Sequence, residues 1–550
     1  MTRRVLLLLA LTAGLIPARA SGQVTWERLV NAGSDPANWL TYGGTYQSQR
    51  YTTLDQITPA NVSGMELKWV FQSQRLDPFE TTPLVVDGIL YTVQGNDVVA
   101  LDAVTGQRFW MYRHNQTAGA VSCCSLISRG LGTLNGMIFL GGGDARLVAL
   151  DAKTGIPVWD VTVGNAKAGY SIKHAPLVLK DKVLVGVHGG EYGVRGFIAA
   201  YDAATGREVW RFNTVAGPGE PGGNSWGGDS WMHGGGSVWV SGTYDPDTNL
   251  TYWGIGNPGP DYNGDVRPGD NLYTCSVVAL DADTGKIKWH YQYNPHNEFD
   301  WDAVQVPLLA DIQWQGQPRK VILTAQRNGF FYVLDRVTGA FLLGTPFVRQ
   351  NWNAGFDASG RPIMSPNAKS SVEGTLIYPG NQGGTNWFSP SYSPRTGLFY
   401  VNAWENTATI FAKREPDFQE GRAYTGGANR GIVPQGIGFG MPGGHQPFNY
   451  RMEEEVYAAI RALDPHTGAK VWEFKLSDAT YSGILTTASD LLLTGSSEGY
   501  FFALDARTGA LAWKTMLGGN VIMGPISYAV AGKQYIGVAS GNSLFVFGLR

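Results

Sequence analysis

An all-β fold, one small sheet copied around an axis, is what this sequence predicts. Three observations predict it: a phrase that returns along the chain, a tryptophan set behind it, and the lack of helix-period segments after the first 20 residues. The phrase is an aromatic or Leu, then Asp, two variable residues, Thr and Gly. It reads LDAVTG from Leu101, LDAKTG from Leu150, YDAATG from Tyr201, LDADTG from Leu280, LDRVTG from Leu334, LDPHTG from Leu463 and LDARTG from Leu504. Four residues after the Gly stand Trp110, Trp159, Trp210, Trp289, Trp472 and Trp513, with Leu343 as the exception. A fixed repeat of this kind marks one supersecondary unit that cannot bury its own apolar face and must stack on copies of itself. Each unit reads as a strand, an Asp-x-x-Thr-Gly turn whose Gly supplies a positive φ, and a second strand carrying the Trp, which buries about 150–250 Å² on docking. Trp69, in the run Met65 to Phe71, reads as a copy without its turn. The eight positions predict an eight-bladed β-propeller of four-stranded blades, with the run Gln534 to Ala539 completing a blade by strands from the N-terminal side.

The bounds of the chain agree. It has 550 residues, 73 of them Gly, 12% aromatic and only 16% charged. Arg3 and Arg4, the apolar run Val5 to Leu11 and the small residues around Ala20 form a secretory leader cleaved near Ala20, too short to span a bilayer. The expectation is therefore a leader over residues 1–20 and a single propeller domain over 21–550, exported to the periplasm with no membrane span. The formal net charge is −3 with the basic leader included. No basic patch stands out, which argues against nucleic acid as a partner. There are three cysteines. Cys275 sits in a strand-like run and reads as a buried core thiol. Cys123 and Cys124 are adjacent; in an oxidising compartment they could join, or remain as two thiols, or bridge to another chain.

Taken together, the Trp-bearing repeats, the adjacent cysteines and several loop motifs resemble the quinoprotein alcohol dehydrogenases, the pyrroloquinoline quinone (PQQ) family that includes methanol dehydrogenase. The likeness covers residues 24–550. It implies a vicinal disulfide, Cys123–Cys124, against one face of PQQ, and Trp239, in Gly234-Gly235-Gly236-Ser237-Val238-Trp239, against the other. Trp239 does not follow a Thr-Gly turn, so it is not one of the docking set. PQQ carries three carboxylates, so its site needs cations and donors. The resemblance assigns that work to Arg129 and Arg327, and Lys173 could serve a carboxylate as a point charge, with Glu80, Gly189, Gly190, Ser237 and Asn386 as further cofactor contacts. Two positions depart from the methanol dehydrogenase pattern: Lys173 replaces a Thr, and His188 replaces a Ser ahead of Glu191.

The same resemblance makes Glu191, Asn257 and Asp300 metal ligands and Asp300 the catalytic base. An oxygen-only set suits Ca²⁺ or a trivalent ion rather than zinc. Asp302, two residues after Asp300, matches the extra carboxylate of the lanthanide-dependent branch, so a lanthanide is expected over calcium. The implied reaction is oxidation of a primary alcohol to the aldehyde, with PQQ as hydride acceptor. No Cys-x-x-Cys-His haem motif occurs, so a separate periplasmic cytochrome c is the expected electron acceptor. A sugar or polymeric alcohol is the alternative substrate class, and a homodimer is one assembly consistent with the family. The repeats alone also suit a cofactor-free propeller scaffold or a ligand sensor. Such a protein has no reason to keep Cys123-Cys124, Glu191, Asn257, Asp300 and Asp302 together. The Gly-rich stretch from Gly421 to Gly444 and Tyr481 are expected to line the substrate cavity.

Overall fold

The computed structural model describes residues 23–431, 456–477 and 479–550. The expected leader and the part of the Gly-rich stretch beyond residue 431 lie outside the described residues. Among those described, seven sheets have four strands in antiparallel meander order, and an eighth adds a two-residue parallel strand, Tyr51–Thr52, at its edge. The first is typical: Leu84–Val86, Ile89–Gln94, Asp97–Asp102 and Arg108–Arg113. Its first three strands are almost wholly buried and its last is half exposed. This is the β-propeller the repeats predict, with the first strand of each sheet innermost except in the C-terminal sheet, where Met65–Gln72 forms the outer edge.

The repeat motif is the joint between sheets. Oδ1 of Asp102 accepts hydrogen bonds from the backbone N–H of Val104 (2.9 Å) and Thr105 (2.8 Å) and from the Thr105 hydroxyl (3.0 Å). Asp151, Asp281, Asp335 and Asp505 repeat the arrangement. The Gly that closes each turn carries the indole of the preceding sheet. A Cβ at Gly106 would lie 2.7 Å from Trp69, at Gly155 2.5 Å from Trp110, at Gly285 2.4 Å from Trp210 and at Gly339 2.5 Å from Trp289. Five indole N–H groups donate to the carbonyl of the Ala after the turn Asp, as Trp110 does to Ala152 at 3.0 Å. Where Arg336 replaces that Ala, the N–H of Trp289 finds no partner. Where Leu343 replaces the Trp, Thr345 of the same strand covers Gly468 instead. Trp513 packs on Phe547 of the C-terminal sheet, centroids 5.9 Å apart. That sheet contains Met65–Gln72, and Trp69 in it docks on Gly106. The docking contacts therefore return to the sheet from which they started.

The segment before Met65 fastens the centre. Tyr46, Gln47, Gln49 and Arg50 offer their carbonyls to the N–H groups of Tyr244, Leu309, Tyr392 and Thr486, each on the innermost strand of a different sheet. Arg50, 1% exposed, donates to the carbonyls of Tyr42, Ile484 and Pro525. Two smaller sheets are insertions: Asn353–Phe356 with Pro362–Met364 lies between two sheets of the ring, and Thr375–Ile377 pairs with Thr409–Lys413 and Gly427–Gly431, which are inserted between Leu398–Glu405 and Tyr457–Leu463 of one sheet.

Gly206 (φ 73°) lies under Trp159, and a Cβ there would fall 2.8 Å from the ring. Gly219 (φ 83°) has nothing within 4 Å of its would-be Cβ. Both need a left-handed backbone, but only Gly206→Ala also overpacks the joint. Gly206→Ala should cost about 2–4 kcal/mol and Gly219→Ala about 1; equal losses of melting temperature would show that the joint is not the determinant.

Candidate active site

Antiparallel meander order puts the lead-in to each first strand and the exit from each second strand at the same end of the ring, and the expected site residues fall there. Glu80 precedes Leu84–Val86, Arg129 precedes Gly132–Leu134, Lys173 precedes Leu177–Leu179, Trp239 precedes Thr243–Asp245, Asp300 and Asp302 precede Leu308–Trp314, and Asn386 precedes Ser391–Ser393. Glu191, Asn257 and Arg327 follow the second strands Lys182–Gly186, Leu250–Gly254 and Gln317–Ala325.

On one side the cations gather. The Arg129 guanidinium lies between the indoles of Trp239 (4.8 Å) and Trp387 (4.5 Å) and pairs with Glu80 at 2.7 Å. Burial raises the Glu80 carboxyl, with Arg129 and Lys173 opposing it. Backbone bonds link Thr82 to Arg129 and Arg129 to Lys173, each 3.0 Å. The Lys173 ammonium, 2% exposed, donates to the carbonyls of Cys123 and Ser125 and so ties the cysteine loop to this cluster. Cys123 and Cys124 are joined as a vicinal disulfide. Burial, with Arg129 adding to it, brings Lys173 down to about 8. Arg327 sits 5.5 Å from the Trp239 ring and donates to Asn386 Oδ1 at 3.3 Å.

On the other side the carboxylates gather. Asp302 is buried, not turned out to solvent: its Oδ1 accepts from the Asn257 N–H (3.0 Å) and its Oδ2 lies 3.3 Å from Arg327. Asp300, with φ 55°, has Oδ1 3.6 Å from Arg327 and Oδ2 3.3 Å from the Tyr262 hydroxyl. Burial first, then repulsion from Asp302, pushes Glu191 up; burial, opposed by Arg327 and reinforced by Asp302 and Glu191, pushes Asp300 well up; burial, again opposed by Arg327, raises Asp302. Gly189 takes φ 131° and a Cβ there would strike the Gly169 carbonyl at 2.4 Å, while a Cβ at Gly190 would stand 3.2 Å from Ser237 Oγ. Ser237 in turn accepts from the Gly256 N–H at 2.7 Å, next to Asn257. His188 is buried edge-on to Trp239 (6.2 Å), Nε2 3.9 Å from Glu191, and burial holds it neutral. Among the described residues no three acidic, His or Cys side chains close on one point as a finished metal cage; Arg327 lies between Asp300 and Asp302.

Sequence reasoning missed two residues here. Asp261, 1% exposed, accepts from Asn257 Nδ2 at 3.0 Å, and Tyr262 holds Asp300. Their only sequence signal is an acid and a phenol just after the Asn257-Pro258 turn. The insertion covers this side: Tyr424 N–H donates to the Glu191 carbonyl (2.6 Å), Tyr262 N–H to the Thr425 carbonyl (2.9 Å), and Asn429 to the Tyr262 hydroxyl (2.5 Å). The described part of the Gly-rich stretch therefore adjoins the site. Tyr481 packs on Trp404 (5.1 Å) and Phe388, and Cys275 is a buried thiol, as expected.

Unpaired groups test what would fit. Arg129 Nε, Arg327 Nε and Glu191 Oε2 are buried without a hydrogen-bond partner, so donors remain for an anion and an acceptor for a cation. Three buried cations around aromatic faces, beside clustered carboxylates, are the groups that a flat polyanion and a hard cation would each require. The comparisons make the class specific: the chain belongs to the PQQ-dependent alcohol dehydrogenase family. The matching family model is the β-propeller domain of glucose, ethanol and alcohol dehydrogenases, over residues 39–346 and 345–536. The chain is 36% identical to the quinoprotein alcohol dehydrogenase PedH of Pseudomonas putida, covering 97% of this chain and 91% of that one. It is 38% identical to a quinohemoprotein alcohol dehydrogenase of Comamonas testosteroni, covering 93% and 73%. Among solved structures, quinohemoprotein alcohol dehydrogenase ADHIIG of Pseudomonas putida superposes with TM-score 0.88 at 34% identity, covering 96% of this chain and 82% of that one. A europium-containing methanol dehydrogenase superposes with TM-score 0.87 at 32% identity, covering 95% and 100%.

Lys173 has a signed pH consequence. Between about 8 and its ordinary 10.5 the unfolded chain holds a proton that the folded one has shed. The destabilisation caused by burying the ammonium is thus full below about 8 and is relieved as pH rises through that window. The melting temperature of the ligand-free protein minus that of Lys173→Met should rise from pH 8 to 10.5; a flat difference would reject the assignment. PQQ binding should weaken over the same rise in the parent only.

Proposed function

We propose that this chain oxidises a small primary alcohol to the aldehyde with PQQ and a lanthanide ion, in the periplasm, and hands its electrons to a separate cytochrome c. The observation that carries the metal choice is Asp302, buried 4% exposed and bonded to the backbone of Asn257, in line with the likeness to the europium-containing enzyme. Arg129, Lys173 and Arg327 would balance the cofactor carboxylates, with Glu80, Asn386, Ser237, Gly189 and Gly190 shaping the rim. Trp239 would offer one flat face and Cys123–Cys124 the other. Glu191, the Asn257 amide, Asp300 and Asp302 would supply oxygens to the metal. When bound, PQQ supplies the quinone that takes the substrate hydride, and the metal supplies Lewis acidity.

The residues of the chain do the rest. A carboxylate oxygen of Asp300 takes the alcohol hydroxyl proton. The Tyr262 hydroxyl at 3.3 Å keeps that carboxylate oriented, and Asn429 in turn holds Tyr262. The loop at Tyr424 and Thr425, bonded to Glu191 and Tyr262, would cover this side of the bound substrate.

The test is dye-linked oxidation of short primary alcohols by protein loaded with PQQ, comparing La³⁺ with Ca²⁺. La³⁺ should support turnover, and Asp302→Ala should lower La³⁺ activity by about 100-fold, in the range for a lost electrostatic contact to the reaction centre, while sparing Ca²⁺ relatively. Equal or better activity of the parent with Ca²⁺ would overturn the lanthanide assignment.

A further inference from the structure

Asp261 is a buried carboxylate with no task in the reaction as written. It is not an ordinary turn Asp, because among the described residues no backbone N–H donates to it, which is how a turn Asp earns its place. Nor is it half of an ion pair: among the described residues no Lys, Arg or His bridges to it. Among the described residues its one hydrogen-bond partner is Asn257 Nδ2, at 3.0 Å. The second Nδ2 hydrogen goes to the Pro258 carbonyl at 3.2 Å. A carbonyl can only accept, so this contact fixes which end of the amide is nitrogen. With both N–H bonds committed, the Asn257 side-chain oxygen is turned away from Asp261 and left free.

We infer that Asp261 is a positioning residue that locks the Asn257 amide with its oxygen toward the metal, and adds a fourth buried carboxylate beside Glu191, Asp300 and Asp302 without touching the ion. The inference rests on the proposed metal site. It needs nothing more than the usual effect of an outer partner that orients a metal ligand. The added charge acts at longer range than a ligand, and it favours a trivalent over a divalent ion because the attraction scales with ionic charge.

The experiment is a luminescence titration of the PQQ-loaded protein with Eu³⁺, with lifetimes in H₂O and D₂O to count waters on the ion. Ca²⁺ competition gives the selectivity. Asp261→Ala removes both orientation and charge, and should weaken Eu³⁺ about 10- to 100-fold and admit an extra water where the Asn257 oxygen has turned away. Asp261→Asn keeps an oxygen to accept from Asn257 Nδ2 and removes only the charge. It should restore the water count of the parent while lowering the Eu³⁺-to-Ca²⁺ affinity ratio. Parent-like Eu³⁺ affinity in Asp261→Ala overturns the inference while leaving the metal site standing. Where Asp261→Ala fails to fold, an unchanged ratio in Asp261→Asn overturns it. A PQQ-loaded parent that binds no Eu³⁺ overturns the metal site and the inference together.

Discussion

The indole of one sheet lying on the turn glycine of the next is the contact on which everything else depends. It needs three things at once: a positive φ, no Cβ, and a ring delivered at a fixed height. The Asp-x-x-Thr-Gly turn supplies the first two. A register shift in the following strand, seen between Ala100 and Leu101 opposite Arg108 and Trp110, supplies the third. Each sheet then contacts its neighbours alone, so stability accumulates joint by joint, as in other repeat architectures. Pairing of Met65–Gln72 with Ser543–Leu549 places an early and a late strand in one sheet, so that among the described residues the ring closes without an open terminal sheet.

That frame explains why the chemistry sits where it does. Residues far apart in sequence meet because every sheet begins and turns at the same end of the ring. Lead-in segments are short, so their side chains are placed almost as firmly as the strands themselves. The result is a strongly polarised mouth, with Glu80, Arg129 and Lys173 on one side and Glu191, Asp261, Asp300 and Asp302 on the other. Burying so many like charges is costly without partners. Burial and mutual repulsion push Asp261 and Asp300 well up and raise Glu191. A ligand that binds only the folded state and neutralises them returns that cost as stability.

The sequence was most legible where a physical requirement recurs. Seven copies of one turn and the spaced tryptophans disclosed the sheets, and even the exception at Leu343 proved local, since Thr345 covers Gly468 in its place. Adjacent cysteines and the Asp300-Trp301-Asp302 run drew attention because few structural roles need them. What escaped was context. Asp261 follows two prolines and a glycine and reads as an ordinary loop acid; only burial against Asn257 gives it meaning. Tyr262 depends on Asn429, 167 positions away, and Arg50 on carbonyls up to 475 away. No local pattern encodes a partner at such distances.

At the proposed metal site, the choice between a divalent and a trivalent ion would turn on the number of carboxylates more than on any single one. A unit pair at 4 Å is worth about 4 kcal/mol at an effective dielectric constant near 20. Each carboxylate in contact thus adds up to about that much preference for 3+ over 2+. The trivalent ion loses more hydration on entry, but that loss is a property of the ion and is common to any site of equal exposure. Between two such sites it cancels, and what remains is the count and distance of the negative oxygens. Arg327 subtracts from that count where it sits between Asp300 and Asp302, and Asp302 and Asp261 add to it. A site with one carboxylate fewer would have the same fold and the same base, and would differ chiefly in which metal it prefers.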